Sequence, residues 1–273
     1  MSWEKPTSAA KSVILPPMRR SIDELRTFYG EPTGALARRM LARRLDDAWG
    51  EANGCDVLGL GYATPWLDGF VGARRALAAM PGGQGAEQWT AAGRNRTVLV
   101  DDRLLPFAAG TFDRILLVHA LEEADDPKAL LAEAVRVMAP AGRIILAAAA
   151  RGGMWARAEA TPFGHGRPFT RRQLERLVRE VGLEPTAWSQ ALYVPPWRPL
   201  LGLADGLEQV GPRLFPGAAG LIMLEATRQA YARVRPSGLA QAVLAGRPAL
   251  TPSPAARDHA PASHPMGAAR KQP

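Results

Sequence analysis

Residues 151–169 hold the densest set of side chains able to do chemistry: Arg151, Arg157, His165 between two glycines, and Arg167, interleaved with Trp155, Phe163 and Phe169. A histidine in such a loop serves as a general base near neutral pH. Arg157 and Arg167 are the groups to hold an anionic ligand. The plainer reading is a lid whose aromatic residues plug the core while the arginines face water. A second set, Asp101-Asp102-Arg103, follows a short apolar run, and His119 follows another. Four histidines and one cysteine form no zinc-ligand cluster, so no metal is expected.

These groups need elements to carry them. From Asp101 to Leu146 the order is loop, strand, loop, helix, glycine turn, strand, which is a right-handed βαβ unit of a sheet that binds ligands at its strand ends. Asp126-Pro127 starts its helix, Pro140-Ala141-Gly142 stops it, and a strand is expected over Arg143–Ala149. Further strands are expected at Asp56–Leu60, Ala73–Met80, Thr97–Val100 and Arg114–Val118, with a last pair near 187–194 and 219–226. Thr170 and Gln173 form a capping box for a helix to Val181. Ile22–Trp49 has helical spacing, broken by Gly30 and Pro32.

The expected organisation is a flexible arm over 1–20, N-terminal helices over 21–50, a main domain over 51–235 and a disordered tail over 236–273. The tail is rich in proline, alanine, glycine and serine and has no aromatic residue. The net charge of +8 is diluted into the ends: nine Lys/Arg against six Asp/Glu in 1–50, four against one in 236–273, and 21 against 19 between them. That distribution argues against a basic face for nucleic acid. No apolar run reaches the ~18 residues a membrane span needs. Val13–Leu15 is too short for a signal-peptide core. Cys55 reads as a small buried filler in a reducing, cytoplasmic protein.

Several spaced motifs resemble the class I S-adenosylmethionine-dependent methyltransferases, type 11-like. They are Leu105-Pro106-Phe107 with Thr111-Phe112-Asp113, then Ala120-Leu121-Glu122, then Arg136-Val137-Met138-Ala139-Pro140-Ala141-Gly142-Arg143. The resemblance spans roughly 56–226. It implies an α/β, Rossmann-like sheet of seven strands, mostly parallel with a terminal antiparallel pair, and helices on both faces. S-adenosyl-L-methionine is the implied cofactor, with a small-molecule acceptor rather than nucleic acid. The alternative is a catalytically inactive binding or scaffold protein on the same fold.

The resemblance also implies a cofactor-binding set. Asp101 would accept from the adenine amino group, and Asp102 and Arg103 would offer backbone N–H groups. His119 would face the donated methyl, or else be a structural imidazole. Val57–Pro65 aligns with the family's glycine motif: Gly61 is its first glycine, Ala63 replaces the second, Pro65 the third, and Gly59 replaces the acidic residue. The acid that would take both ribose hydroxyls is missing. Gln84 would bond one of them, and Glu87 lies three residues late. Losing such a charged hydrogen bond costs ~1.5–3 kcal/mol. For catalysis the candidates are His119, His165 and Arg167.

Overall fold

The computed structural model describes residues 19–91, 93–229 and 251–252. Two helices open it: α1 (Ile22–Gly30) and α2 (Pro32–Trp49). Ser21 caps α1 in a reciprocal box with Glu24, and Ile22, Leu25, Phe28 and Tyr29 turn inward. Ten strands follow in chain order: β1 (Asp56–Gly61), β2 (Arg75–Pro81), β3 (Thr90–Ala91), β4 (Arg94–Asn95), β5 (Thr97–Val100), β6 (Phe112–Val118), β7 (Met138–Ala149), β8 (Leu183–Ala191), β9 (Leu221–Arg228) and β10 (Thr251–Pro252). The remaining helices are α3 (Thr64–Leu67), α4 (Pro127–Val137), α5 (Arg171–Glu180) and α6 (Ala204–Leu214).

The main sheet runs β10-β8-β9-β7-β6-β1-β2-β5, and β3–β4 form a separate small hairpin. β1 pairs in parallel with both β2 and β6, as β2 does with β5 and β6 with β7. β9 runs antiparallel to β7 and β8. Strand order reverses on either side of β1, so the crevice for a ligand opens at the carboxyl ends of β1 and β6. This is the mostly parallel, Rossmann-like sheet with a terminal antiparallel pair that the resemblance implies, with helices around it.

Alternation along β6 assigns its residues to two cores. Leu116 and Val118 pack with α1, α2 and α3, while Ile115 and Leu117 pack with α4 and α5. Asp126 caps α4 by accepting from the Lys128 and Ala129 N–H groups.

Several boundaries depart from expectation. α4 ends at Val137 and the chain is extended from Met138, because Phe112 of β6 offers pairing to Met138 before the register shifts. The segment after Gly61 forms only the four-residue helix α3, opened by Thr64-Pro65. Arg19 and Arg20, assigned to a flexible arm, are anchored by side-chain and backbone bonds to Asp102 and Glu123. Of the tail, residues 251–252 pair with Ala187 and Trp188 of β8, whose outer edge has backbone groups to satisfy. The other tail residues, and 1–18 of the arm, lie outside the described residues. Cys55 is half-buried rather than buried. No described helix is long and apolar enough to cross a membrane.

Candidate functional site

The crevice is built from the ends of four strands. At the end of β1, Gly61 takes φ +83°. A Cβ there would lie 2.3 Å from the Val118 carbonyl oxygen, so only glycine lets β1 and β6 close together. The Tyr62 N–H then donates to that same oxygen at 2.9 Å. The acid missing at Gly59 has a packing reason: its Cβ would stand 2.7 Å from the Ala63 methyl and 3.0 Å from Leu67. The turn from Ala63 into α3 folds back over the strand and leaves no room for a side chain. Pro65 sits in the first turn of α3, where its missing N–H costs nothing.

Past the end of β2, Gln84 is buried, and its Nε2 donates to the His119 carbonyl at 2.8 Å. Its Oε1 is buried and makes no hydrogen bond. Glu87 is directed elsewhere, accepting from the Thr64 hydroxyl at 2.6 Å. Past β5, Asp101 is exposed and accepts from the Arg103 N–H at 2.8 Å, so that N–H is used within the turn. Asp102 pairs with Arg19. The Leu105–Phe107 segment is held to α4 by Arg136, which donates to the Leu105 and Phe107 carbonyls at 2.8 and 2.9 Å.

His119 lies at the centre. It is buried, with φ +50°, a left-handed conformation uncommon for a histidine. Its Nε2 is 2.6 Å from the Tyr29 hydroxyl of α1. Burial drives the imidazole pKa down to about 3 and pushes the Tyr29 phenol up, so a neutral ring accepts from a protonated phenol. Tyr29 in turn stacks on Tyr62 at 5.7 Å and meets Trp66 edge-on at 5.3 Å.

The 151–169 loop closes the other side. Trp155 is fully buried and donates to the Val194 carbonyl at 2.7 Å, and Phe163 packs against it and His119. Arg157 is exposed. Arg167 is tied to the Ala124 and Asp125 carbonyls at 2.7 and 3.2 Å. The His165 Nε2 contacts the Arg20 guanidinium and the Glu159 carbonyl. His165 and Arg167 thus share one wall of a cavity of about 820 Å³, while His119 stands apart in the crevice.

Two residues of that cavity were not among the sequence candidates. Glu122 is buried, its Oε1 accepts from the Ala149 N–H at 2.9 Å, and its Oε2 makes no hydrogen bond. Burial raises its pKa to about 7. Glu123 is also raised by burial, opposed by the Arg20 N–H. Consecutive acids four residues past the end of β6 were the available signal. Between the ordinary value of 4.5 and about 7 the folded protein binds a proton that the unfolded chain has released. Stability attributable to Glu122 therefore falls as pH rises through that window, by on the order of 3 kcal/mol. Urea titrations at pH 5 and 8 should show Glu122→Gln gaining on the wild type at the higher pH. An equal difference at both would mean that Glu122 is ionised throughout.

Residues 56–146 match a family model described as a methyltransferase domain. No curated protein matches the chain. Among solved structures, a SAM-dependent methyltransferase of Thermotoga maritima, described as a possible histamine N-methyltransferase, aligns over 76% of this chain and 96% of its own with a TM-score of 0.53 at 15% identity. A SAM-dependent methyltransferase of Archaeoglobus fulgidus aligns over 74% and 97% with a TM-score of 0.51 at 14% identity. These likenesses establish the fold, and the family match places the motifs within it. Residues 56–146, a third of the chain, thus match a methyltransferase domain on the fold that these S-adenosylmethionine-dependent methyltransferases share, and S-adenosyl-L-methionine is the cofactor that the match supports.

Proposed function

We propose that the chain methylates a small molecule held in the cavity between the 151–169 loop and the Glu122–Asp125 segment. The observation that carries this reading is the cavity itself, about 820 Å³ and bordering the crevice, with Glu122, His165 and Arg167 in its wall. The crevice walls also suit adenosine. The Gln84 Oε1 is a buried acceptor without a partner, which supports a bond from one ribose hydroxyl. The exposed Asp101 carboxylate accepts from the adenine amino group, and Gly61 admits close backbone approach.

When bound, the cofactor supplies an electrophilic methyl group on a sulfonium, so the residues' task is to position and desolvate. Arg167 orients an anionic group of the acceptor. Glu122, half-protonated near neutral pH, or His165 takes the proton released by the attacking atom. His119 stays neutral and fixes the crevice wall.

A second reading, a catalytically inactive protein on this fold, is favoured by the loss of both acids and by Tyr29 lying against His119. Two measurements separate the readings. S-adenosylmethionine at a hundredfold its Kd should stabilise the protein by about 2.7 kcal/mol. Incubation with a deproteinised small-molecule extract should then yield S-adenosylhomocysteine. Stabilisation without turnover would favour the inactive reading, and turnover with macromolecules only would overturn the small-molecule acceptor.

A further inference from the structure

The segment from Arg19 to Gly30 crosses the crevice from bank to bank. On the β2–β5 side, Arg19 pairs with Asp102 and its side chain lies against Gly83, while the Ile22 N–H donates to the Gln84 carbonyl at 2.9 Å. On the β6 side, the Arg20 N–H donates to the Glu123 carboxylate at 2.7 Å and its guanidinium meets His165. α1 then lays Tyr29 on Tyr62, the residue following Gly61, and bonds it to His119. Of the groups that would face a cofactor along this crevice, Asp102, His119 and the Gln84 backbone are engaged by the chain's own N-terminal segment, while Asp101 stays exposed and the Gln84 Oε1 is buried with nothing bonded to it.

We propose that residues 19–30 are a strap that occupies the cofactor crevice, and that S-adenosylmethionine enters only when the strap is displaced about the break between α1 and α2. The inference rests on the methyltransferase reading above. Glu31, extended between two helices and followed by Pro32, is the natural pivot. Both helices bury apolar residues in the same core, but α2 has twice the length of α1 and is tied to the sheet by the Trp49 indole N–H, which donates to Glu225 at 3.0 Å, so α2 stays when α1 moves. What holds the strap is a short set of contacts: the Arg19–Asp102 pair, the Arg20 bonds, the Ile22–Gln84 bond, the Tyr29–His119 bond and the apolar face of α1. A ligand competing with a closed state binds more weakly by the fraction of molecules that are open.

The test uses S-adenosylhomocysteine with the full-length wild type and with Arg19→Ala, Tyr29→Phe and the double variant. Neither change removes a ring from the core, and thermal melts confirm folding. The double variant should bind about tenfold more tightly, as the open fraction rises. In the wild type, saturating S-adenosylhomocysteine should speed tryptic cleavage after Arg20 and Arg26, read by mass spectrometry. Equal affinity in all forms, or slower cleavage with ligand, would overturn the strap, because the segment would then clamp over the cofactor instead of yielding to it. Absence of binding to every form, at millimolar ligand, would overturn the methyltransferase reading and the strap with it.

Discussion

Lowering the pH from 6.5 toward 3 should remove the stability that the neutral His119 imidazole contributes, a loss that protonation of Glu122 offsets down to about 4.5 and that stands alone below it. The unfolded chain protonates His119 near 6.5, while burial holds the folded value at about 3. Between these values the unfolded state binds one more proton, so stability rises with pH across the window and is lost as pH falls. At about 1.4 kcal/mol per pH unit, the loss is on the order of 5 kcal/mol. The groups around the ring cannot rescue the cation. Tyr29 is kept neutral, Phe163 offers only an aromatic face, and Glu122 is itself protonated below pH 7. His119→Asn tolerates the left-handed backbone and retains an acceptor for Tyr29. Urea midpoints of this variant should therefore lack the His119 share of the acid loss. A pH profile parallel to the wild type would mean that the imidazole is not the titrating group.

Gly61→Ala should be among the most damaging single-methyl additions in the chain. Two costs add at that site. A side chain at φ +83° costs about 1–2 kcal/mol on backbone grounds alone. The new methyl would also stand 2.3 Å from the Val118 carbonyl oxygen and 2.9 Å from the Ala120 methyl, so β1 and β6 would have to part where the crevice opens. The combined loss should exceed about 3 kcal/mol. Gly54→Ala is the matched control, with φ +71° but open space around the added methyl. It should lose only the backbone share. Equal losses at the two positions, by urea unfolding, would show that the strands relax around the methyl at little cost.

The readable parts of the sequence were those set by neighbours along the chain. Asp126, bonded to Lys128 and Ala129, and Thr170 with Gln173 each mark a helix start by a bond spanning two or three residues. The fully buried β1 and the apolar β6 declared themselves by composition. Boundaries slipped where a distant partner intervened, as Phe112 did for Met138 and β8 did for 251–252. At the candidate site, Gln84 and Asp101 were reached through the resemblance, and Glu122 was passed over because its burial is not a local property.

By itself the sequence determined that the chain forms a mostly parallel α/β sheet with a ligand crevice at its strand ends, because short-range caps, turns and apolar runs settle that much. Tertiary structure alone decided what fills the crevice. Tyr29 and His119 are 90 residues apart, Arg20 and Glu123 are 103 apart, and Gln84 and His119 are 35 apart. No pattern in a window of sequence encodes such pairings. They arise when the sheet brings four strand ends together and the first helix is left with an aromatic face to bury there.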